Sequence, residues 1–342
     1  MKANKPARPK KILIIKPSSL GDIVHSLPFL NAVHKSFPEA EIHWIVAKGF
    51  EGMLEGHPMI KKLWVIKKDE WKEINRLHHT VREMRALYNE LKEERFSIAV
   101  DLQGLLRSGL IAKATNAPLR VGFKEAKEGS TLCYTDTIEG GRDIHAVDRY
   151  LKMAMFLGCD ISDIQFPFPV VPDPLPVARQ LLLPDRYVVL VPGARKPANR
   201  WPAERFGRLA AMLPVKAVVV GSRGDMRLAE AVAGHSKGNS VSLAGKTDLK
   251  GLISVIRGAR LVVSNDSGPM HIAAGLNVPV VAVFGPANPA RTGPYGTIHR
   301  VIRRDISCSP CYKRVCRSPD CLEEISVKEV ASAVMDALNH SQ

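Results

Sequence analysis

The chain has 342 residues, 45% of them hydrophobic and 24% charged, and this composition excludes a wholly disordered or a fibrous protein. At roughly 150 residues per domain, the length predicts two domains. The longest apolar runs, such as residues 278–284, are too short for a membrane span, which needs about 20 apolar residues. The basic N-terminus is followed by one short apolar run, residues 12–15, which is too short for a signal peptide, so we expect a cytoplasmic protein.

The positive charge of the chain restricts its partners. Lysine and arginine number 49 against 34 acidic residues, a net charge of +15. Such a charge attracts nucleic acid, an anionic membrane surface or a phosphorylated substrate. A nucleic-acid-binding protein is the non-enzymatic alternative. We find no nucleic-acid-binding module, so we predict no nucleic-acid partner.

Short β-branched runs alternate with helix-length amphipathic segments through both halves of the chain. This alternation predicts parallel sheets made of βα units, and therefore an α/β fold. The predicted strands are residues 12–15, 41–46 and 99–101 in the first half, and 187–191, 215–220, 261–264 and 278–284 in the second half.

A proline-rich segment separates the two halves. Residues 166–177 carry prolines at positions 167, 169, 172, 174 and 176, where neither a helix nor a central strand persists. We interpret residues 167–177 as a linker between two α/β domains. A cleft between two such domains is a usual place for a ligand to bind.

Asp22 lies where the first predicted strand gives way to a helix. Residues 17–22 follow the strand, and apolar residues at helical spacing come next, at positions 23, 27, 30 and 33. Two interpretations stay open at this point. Asp22 caps the helix, since aspartate is a favoured N-cap residue, or it presents its carboxylate at the carboxyl edge of the sheet, where ligands bind in open α/β folds.

In the second half, residues 265–271 connect the strand 261–264 to an apolar helix. Ser267 or Asp266 suits the cap, and Gly268 permits a close approach of the backbone. Free N–H groups and the positive end of the helix dipole predict an anion site there, and His271 adds a donor. A purely structural cap explains residues 266–269 equally well.

A second loop of the C-terminal half, residues 192–202, also follows a strand. It places three cations, Arg195, Lys196 and Arg200, beside Gly193. Taken alone it is an ordinary solvated loop. Its position between a strand and a helix favours a role in binding an anion.

Several familiar motifs are absent from the sequence. No two glycines lie two residues apart, so the dinucleotide fingerprint is missing, and Ser240 stands where a phosphate loop ending at Gly245-Lys246-Thr247 needs glycine. No two aspartates lie two residues apart, which removes the usual way of holding a nucleotide-sugar through a metal. We therefore predict no cofactor and no catalytic metal.

Four of the six cysteines, at positions 308, 311, 316 and 321, lie within a basic stretch. Four thiolates at that spacing could hold zinc, but structural zinc sites usually separate two pairs of ligands by a longer loop. In a chain without a secretion signal, the alternative is reduced thiols that order a loop, and we favour it.

Four motifs together resemble glycosyltransferase family 9, the lipopolysaccharide heptosyltransferases, over about residues 11–338. They are residues 18–22, the Pro-Gly-Ala to Arg-Trp-Pro loop 192–202, residues 266–271 and residues 284–286. Residues 101–105 and 145–149 look most like heptosyltransferase I, whereas the four-cysteine tail is more like heptosyltransferase II. The resemblance is assigned to type I, with types II and III and a sugar-nucleotide epimerase as alternatives.

The resemblance implies a GT-B fold of two Rossmann-like domains with a cleft between them. It places the acceptor on residues 11–166 and ADP-heptose on residues 178–326, with a final helix, 327–338, that crosses back to the first domain. The implied reaction is the inverting, metal-independent transfer of L-glycero-D-manno-heptose to the Kdo-lipid A inner core.

The resemblance also implies roles for individual residues. Asp22 matches the general base of the family, and its carboxylate, ionised at pH 7, suits removal of a proton from a sugar hydroxyl. Asn199 stands where the family often has lysine, so Lys196 or Arg200 is expected to take over its role at the pyrophosphate. The donor residues are Ala194, Arg195, Lys196, Asn199, Arg200, Asp225, Thr247, Asp266, Ser267, Gly268 and His271. The acceptor residues are Ser19, Gly21, Gln103, Arg107, Arg120 and His145.

Residues 61–95 are the candidate surface for the lipid part of the acceptor. Trp64 and Trp71 interleave with Lys67, Lys68 and Lys72, and tryptophan beside lysine suits the headgroup boundary of a membrane. We therefore expect a protein that lies peripherally on the cytoplasmic face of the inner membrane. Residues 82–95 are interpreted as an ordinary solvated helix face.

Overall fold

The computed structural model describes residues 8–68, 70, 77–171, 173, 179–181 and 183–339. The chain divides into two compact units, Met1–Val170 and Val171–Gln342. Each unit contains one six-stranded sheet in which all neighbouring strands are parallel. The α/β prediction is confirmed.

The first unit is built on the strand order β3-β2-β1-β4-β5-β6. Buried β-branched and leucine side chains on both faces of β1 and β4 explain why these two strands lie at the centre. Its strands are β1 Lys11–Ile15, β2 Glu41–Ala47, β3 Lys62–Ile66, β4 Ile98–Asp101, β5 Leu119–Phe123 and β6 Asp136–Ile138. Its helices are α1 Leu20–His25, α2 Leu27–Ser36, α3 Leu77–Glu93, α4 Leu106–Ala114 and α5 Ala146–Leu157.

The second unit repeats this topology. Its strand order is β12-β11-β10-β7-β8-β9, which is the order of the first sheet when its strands are counted from β7. Its strands are β7 Tyr187–Val191, β8 Lys216–Val219, β9 Ser240–Ser242, β10 Leu261–Asn265, β11 Val280–Phe284 and β12 Arg300–Arg303. Its helices are α6 Ala203–Ala210, α7 Met226–His235, α8 Leu249–Arg257, α9 Gly268–Gly275, α10 Pro289–Thr292, α11 Asp320–Glu323 and α12 Val327–Asn339.

The single helix expected after Asp22 is in fact two helices. The chain turns at Ser26, whose backbone N–H is bonded to Ile23, and α2 begins immediately afterwards with Pro28 in its first turn. Proline lacks the N–H that a continuous helix needs at this position, so the helix ends and restarts. Every residue from 23 to 33 is buried, so the apolar positions 23, 27, 30 and 33 all lie in the interior of the unit.

Trp64 corrects the prediction of a lipid-facing surface. Its side chain is only 6% exposed and belongs to the apolar core of the first unit, where its ring nitrogen donates to His43 at 3.3 Å. The Nζ atom of Lys62 lies 3.6 Å from the centre of its ring. Trp64 therefore fills the core, as an inward-facing position of β3 requires. Trp71 and Lys72 lie outside the described residues.

The last helix, α12, packs into the core of the second unit through Val330, Val334 and Leu338. The guanidinium of Arg260 also donates to the carbonyl of Leu338 at 3.3 Å. The predicted crossing of this helix to the N-terminal domain stays a prediction. Prolines 172, 174 and 176 of the predicted linker lie outside the described residues.

Within the part of the chain that the structure describes, no helix is both long enough and apolar enough to span a membrane.

Candidate functional site

At the carboxyl edge of the first sheet, β1 continues into a loop that ends in a capping box. Ser19 is the N-cap residue of α1, and its backbone N and Oγ donate to Oδ2 of Asp22 at 2.9 and 2.7 Å. Asp22 is thus not the N-cap residue, as one interpretation had it. It stands three residues later, where a carboxylate reaches back to the N–H of the cap.

The other oxygen of Asp22 faces a buried cation. Lys16 is only 3% exposed, and its Nζ lies 3.7 Å from Oδ1 of Asp22 and donates to the carbonyl of Leu102 at 3.2 Å. The hydroxyl of Tyr150 on α5 lies 3.5 Å from the same Oδ1. Burial lowers the pKa of Lys16, but the nearby charges of Asp22, Tyr150 and Asp101 outweigh burial, and the pKa is raised overall.

A second carboxylate, that of Asp101, is fully buried and organises the loop after β4. Its Oδ1 accepts the N–H groups of Gln103 and Gly104 at 2.8 and 3.0 Å, and its Oδ2 accepts the hydroxyl of Tyr134 at 2.6 Å. Burial raises the pKa of Asp101 despite these hydrogen bonds. The loop that carries Gln103 is therefore held by a carboxylate beneath it.

The helices α1 and α5 meet beside Asp22. The rings of His25 and His145 pack edge to face with their centres 5.1 Å apart. His145 is the N-cap residue of α5, and its Nδ1 accepts the N–H of Val147 at 3.2 Å. Tyr150 reaches Asp22 from the same helix. Of the predicted acceptor residues, the structure thus brings Ser19, Gly21 and His145 close to Asp22.

The remaining acceptor candidates lie further along the sheet. Gln103 lies at the carboxyl end of β4, where its Oε1 is buried with no hydrogen-bond partner in the described chain. Arg107 on α4 donates to the carbonyl of Lys68 at 2.9 Å. Arg120 lies near the amino end of β5 and donates to the carbonyls of Ala117 and Cys133, so the structure does not bring it to the edge that carries Asp22.

In the second unit, two loops at the carboxyl edge of the sheet are bound to each other. The amide of Asn199 donates to Oδ2 of Asp266 at 2.8 Å. Asn265 accepts the N–H of Trp201 at 2.9 Å and donates to the carbonyl of Pro192 at 2.8 Å. The loop after β7 and the loop after β10, both predicted to contact the donor, therefore form one surface.

The three cations of the loop after β7 have different environments. Arg195 is exposed. Lys196 reaches the carbonyl of Tyr312 at 3.4 Å, and Nε of Arg200 donates to the carbonyl of Ala194 at 2.8 Å. Asn199 is only 7% exposed and is held by Asp266. The amide of Asn199 is thus bonded to Asp266, and the neighbouring cations carry the positive charge of this loop.

Asp225 forms a second capping box, in the loop after β8. The backbone N and Oγ of Ser222 donate to its Oδ2 at 2.9 and 2.6 Å. A side chain at Gly193 would meet Oδ1 of Asp225 at 2.8 Å, so only glycine permits this approach of the two loops. The next loop along the sheet, which carries Thr247, joins them because the N–H of Gly245 donates to the carbonyl of Gly221 at 2.9 Å.

The loop after β10 leads into α9 as predicted. Ser267 is the N-cap residue, Gly268 and Pro269 form the first turn, and the hydroxyls of Ser264 and Ser267 lie 3.0 Å apart. His271 is buried in the same turn, at 6% exposure. The first turn of α9 thus presents backbone N–H groups at the edge that the cationic loop also borders, which suits a phosphate group.

The four late cysteines are free thiols with graded burial, from exposed Cys308 to buried Cys321. Burial raises the pKa of the Cys321 thiol, and the other three cysteines raise it further. Among the side chains that the structure describes, no group of three or more histidines, cysteines, aspartates or glutamates is arranged to hold a metal ion.

Two lysines of the proposed lipid surface, Lys67 and Lys68, have partners within the protein. Lys67 donates to Glu83 at 3.1 Å, and Lys68 donates to Oγ of Ser18 at 2.6 Å. Lys68 is therefore tied to the loop that precedes Asp22, and not to an isolated surface.

Sequence reasoning missed Lys16 and Tyr150. A signal existed for Lys16, because a lone lysine directly after four apolar strand residues must lie at the edge of the sheet, beside Asp22. No comparable signal marked Tyr150, which reaches Asp22 from a helix 128 residues further along the chain.

Residues 84–321 match the model of glycosyltransferase family 9 (heptosyltransferase). Lipopolysaccharide heptosyltransferase 1 of Pseudomonas aeruginosa is 27% identical over 319 residues, which cover 90% of this chain and 87% of that protein. Lipooligosaccharide heptosyltransferase 2 of Haemophilus ducreyi is 29% identical over 318 residues, which cover 86% of this chain and 88% of that protein.

Two solved structures share the fold. The E. coli ADP-heptose lipopolysaccharide heptosyltransferase II matches with a TM-score of 0.80 at 24% identity, over 96% of this chain and 99% of that chain. The E. coli heptosyltransferase WaaC, solved with ADP, matches with a TM-score of 0.78 at 23% identity, again over 96% and 99%. The GT-B fold is confirmed.

Proposed function

The chain belongs to glycosyltransferase family 9, the heptosyltransferases, and from this premise we propose that it transfers L-glycero-D-manno-heptose from ADP-heptose to the Kdo-lipid A inner core of lipopolysaccharide. The observation that carries the proposal is the carboxylate of Asp22, fixed by Ser19 at the carboxyl edge of the first sheet. The relatives named for lipopolysaccharide or ADP-heptose support the choice of donor and acceptor.

In the proposed reaction, Asp22 is the general base. Its carboxylate takes the proton of an acceptor hydroxyl while that oxygen forms a bond to the anomeric carbon of the heptose. The bond between the anomeric carbon and the β-phosphate oxygen breaks, and ADP leaves with the electron pair. Attack on the face opposite to ADP inverts the configuration. A positioned base of this kind contributes about 10²–10⁴-fold to the rate.

The second unit supplies the charge that the leaving group needs. Negative charge accumulates on the diphosphate as the bond breaks, and groups already oriented toward it lower the barrier. The first turn of α9, His271 and the cations Arg195, Lys196 and Arg200 are such groups. We therefore propose a reaction without a metal ion, in which these residues stabilise ADP.

A second candidate is transfer to an inner core that already carries one heptose. It is favoured by relatives of type 2, which are as similar to this chain as those of type 1. The two candidates share the donor and the base and differ only in the acceptor. An epimerase is a weaker alternative, because the similarity of this chain to the putative epimerase from Listeria monocytogenes is one of fold at 13% identity.

The test is a transfer assay with purified protein, ADP-heptose, and either Kdo-lipid A or its heptosylated form as acceptor. We expect product from the first acceptor, activity that survives EDTA, and a melting temperature raised by ADP more than by UDP, GDP or CDP, because only a ligand of the native state stabilises it. Product from the heptosylated acceptor alone would select the second candidate. Complete loss in EDTA, restored by magnesium, would contradict the metal-free reaction.

We also propose that the protein works as a peripheral protein on the cytoplasmic face of the inner membrane, where a lipid acceptor is available. The net charge of +15 supports this location, since each cation near an anionic surface contributes about 1 kcal/mol. Sedimentation with phosphatidylglycerol vesicles is expected at low salt and not at high salt. Absence of binding at low salt would contradict the proposal.

A further inference from the structure

We propose that Lys16 and Tyr150 are positioning residues for the base: together they hold Oδ1 of Asp22 as the oxygen that takes the proton. The inference rests on the proposed role of Asp22. It concerns two residues that the sequence motifs did not include, one at the end of β1 and one on α5. The two carboxylate oxygens of Asp22 lie in different environments.

Oδ2 of Asp22 is committed to the fold. It accepts two short hydrogen bonds from Ser19, at 2.9 and 2.7 Å, which complete the cap of α1. Protonation of this oxygen would weaken both bonds and the helix cap with them. Oδ1 has the longer contacts, 3.7 Å to Nζ of Lys16 and 3.5 Å to the hydroxyl of Tyr150. Protonation of Oδ1 therefore costs less free energy than protonation of Oδ2.

The ammonium of Lys16 is fixed in place. A buried charge is costly unless it is paired and hydrogen-bonded. Nζ donates to the carbonyl of Leu102 and lies 5.1 Å from the centre of the Tyr150 ring, and the main-chain carbonyl of Lys16 accepts the ring N–H of Trp44 at 3.2 Å. The lysine thus cannot follow Asp22 if the carboxylate rotates, so its charge holds Oδ1 in one direction.

The same charge keeps the base ionised. A cation within about 4–6 Å favours the charged form of a carboxylate. Burial lowers the pKa of Lys16 and the charge of Asp22 raises it, so the two groups stabilise each other's charged form. The pair therefore extends the activity of the base toward acidic pH, in addition to orienting it.

The test replaces Lys16 with methionine, which keeps most of the length and removes the charge. We expect kcat to fall about 100-fold, the loss that misplacement of a reacting group by about 1 Å causes. The KM for ADP-heptose should change less than about threefold. The acid limb of the plot of log kcat against pH should move to higher pH by about one unit or more, since Asp22 without the cation is easier to protonate. If Lys16 had only a structural role, its replacement would leave the acid limb of the pH profile unchanged.

Two further variants complete the design. Tyr150→Phe keeps the ring and removes the hydroxyl, and we expect a fall in kcat of about tenfold with a smaller shift of the acid limb in the same direction. Lys35→Met removes an exposed lysine that pairs with Asp163 elsewhere in the same unit. This control should leave kcat and the pH profile unchanged.

Thermal melting and ADP binding show whether each variant folds, and Lys16→Gln replaces the methionine variant if that one does not. A folded Lys16 variant with kcat within threefold of wild type and an unmoved acid limb overturns the inference. If neither Lys16 variant folds, an unchanged Tyr150→Phe enzyme overturns it. Asp22→Asn, assayed in parallel, separates the two proposals: an active Asp22→Asn enzyme refutes the base itself, whereas an inactive one beside a normal Lys16 variant refutes only the role of Lys16.

Discussion

The two sheets have one topology and opposite chemistry at their first loops. The loop after β1 presents a carboxylate, Asp22, above the buried ammonium of Lys16. The corresponding loop after β7 presents Arg195, Lys196 and Arg200 beside Gly193. Because ligand loops lie at the carboxyl ends of the strands in open α/β folds, one architecture carries the proposed base in the first unit and the proposed anion site in the second. The fold determines where the two loops lie, and a few residues in each loop determine whether the loop is negatively or positively charged.

The same local motif also occurs in both units with different surroundings. Ser19-Leu20-Gly21-Asp22 and Ser222-Arg223-Gly224-Asp225 form capping boxes whose bonds from serine N and Oγ agree within 0.1 Å, at 2.9 and 2.7 Å in the first and 2.9 and 2.6 Å in the second. Asp22 is contacted by Lys16 and Tyr150, whereas Asp225 packs against Gly193 and Gly221. The motif orients a carboxylate, and the neighbours decide what the carboxylate does.

The largest expected effect comes from replacing Asp22, the aspartate of the first capping box, with asparagine. Asp22→Asn keeps the shape and removes the base, so kcat should fall by more than about 100-fold, the lower end of general-base contributions. ADP affinity should stay within a few-fold. Steady-state kinetics and titration calorimetry measure the two quantities.

Asp225→Asn is the matched variant in the second capping box. It should leave kcat within about tenfold and raise the KM for ADP-heptose, because in the proposed site Asp225 belongs to the donor loops and takes no proton. If both variants lost kcat equally, the two boxes would have the same role and the distinction between them would fail.

A smaller effect is expected from Gly193→Ala. The new methyl group would lie 2.8 Å from Oδ1 of Asp225 and separate the loops after β7 and β8. Overpacking of this kind costs about 1–3 kcal/mol, so ADP affinity should fall about tenfold. Gly224→Ala is the control, since its Cβ would meet only Oγ of Ser222 at 3.5 Å. Equal affinity of the two variants for ADP in calorimetry would show that the contact with Asp225 does not shape the donor site.

The cationic loop gives the next prediction. Lys196→Ala should weaken ADP binding about three- to tenfold at low salt and less at high salt, because charge-assisted contacts at a solvent-accessible site are screened. Lys216→Ala, in the same unit, removes a lysine that bonds the carbonyl of Gly238 and should have no effect on ADP. A salt-independent loss in the Lys196 variant would argue against direct contact with phosphate.

The central strands and both ligand loops could be predicted from sequence because their residues are local to one strand and the turn that follows it. The unpredicted strands, β3, β5, β6, β9 and β12, lie away from the sheet centres, where apolar runs are short or interrupted by polar residues. Trp64 shows the opposite error. Its lysine neighbours indicated a membrane surface, but alternation along β3 turns Trp64 and Ile66 inward and Val65 outward. Neighbours in sequence are not neighbours in space on a strand.

The candidate site shows the same limit. The resemblance identified Asp22 from a contiguous motif, while Tyr150 reaches it through the packing of α5 on α1, which no local pattern records. The resemblance marked Asn199 as a departure from the lysine that the family often has, but only the fold shows that its amide bonds Asp266. The roles of the donor and acceptor residues stay predictions.

The smallest expected effect concerns acid stability and compares one ion pair from each unit. Hydrogen bonds from Lys11 and Lys62 lower the pKa of Glu94 to about 2. Because the pKa is depressed on folding, the stabilisation is present above the unfolded pKa, near 4.5, and is lost as pH falls toward 2. Glu94→Gln should therefore cost about 1 kcal/mol at pH 7, a value for solvent-accessible pairs, and nothing near pH 2.

Glu329→Gln gives the comparison in the second unit, where the hydrogen bond from Arg304 lowers the pKa of Glu329. Glu329→Gln should also lower the stability of the protein at pH 7, and this loss should disappear as the pH falls into the acid range. Hydrogen exchange followed by mass spectrometry assigns each loss to its own unit. A Glu94 variant whose stability loss is the same at pH 2 and pH 7 would contradict the linkage.

The cationic loop after β7 is held by main-chain groups of the segment 311–317. Lys196 and the N–H of Ala198 bond the carbonyls of Tyr312 and Arg314, and the N–H groups of Cys311 and Tyr312 both bond the carbonyl of Pro286. Every residue type has a main-chain carbonyl and every type except proline has an N–H, so substitutions other than proline at residues 311–317 should leave this support in place. A change in the length of that segment would disrupt the support, because one inserted residue displaces every bonded main-chain group. We therefore expect residues 311–317 to tolerate substitutions but not insertions or deletions.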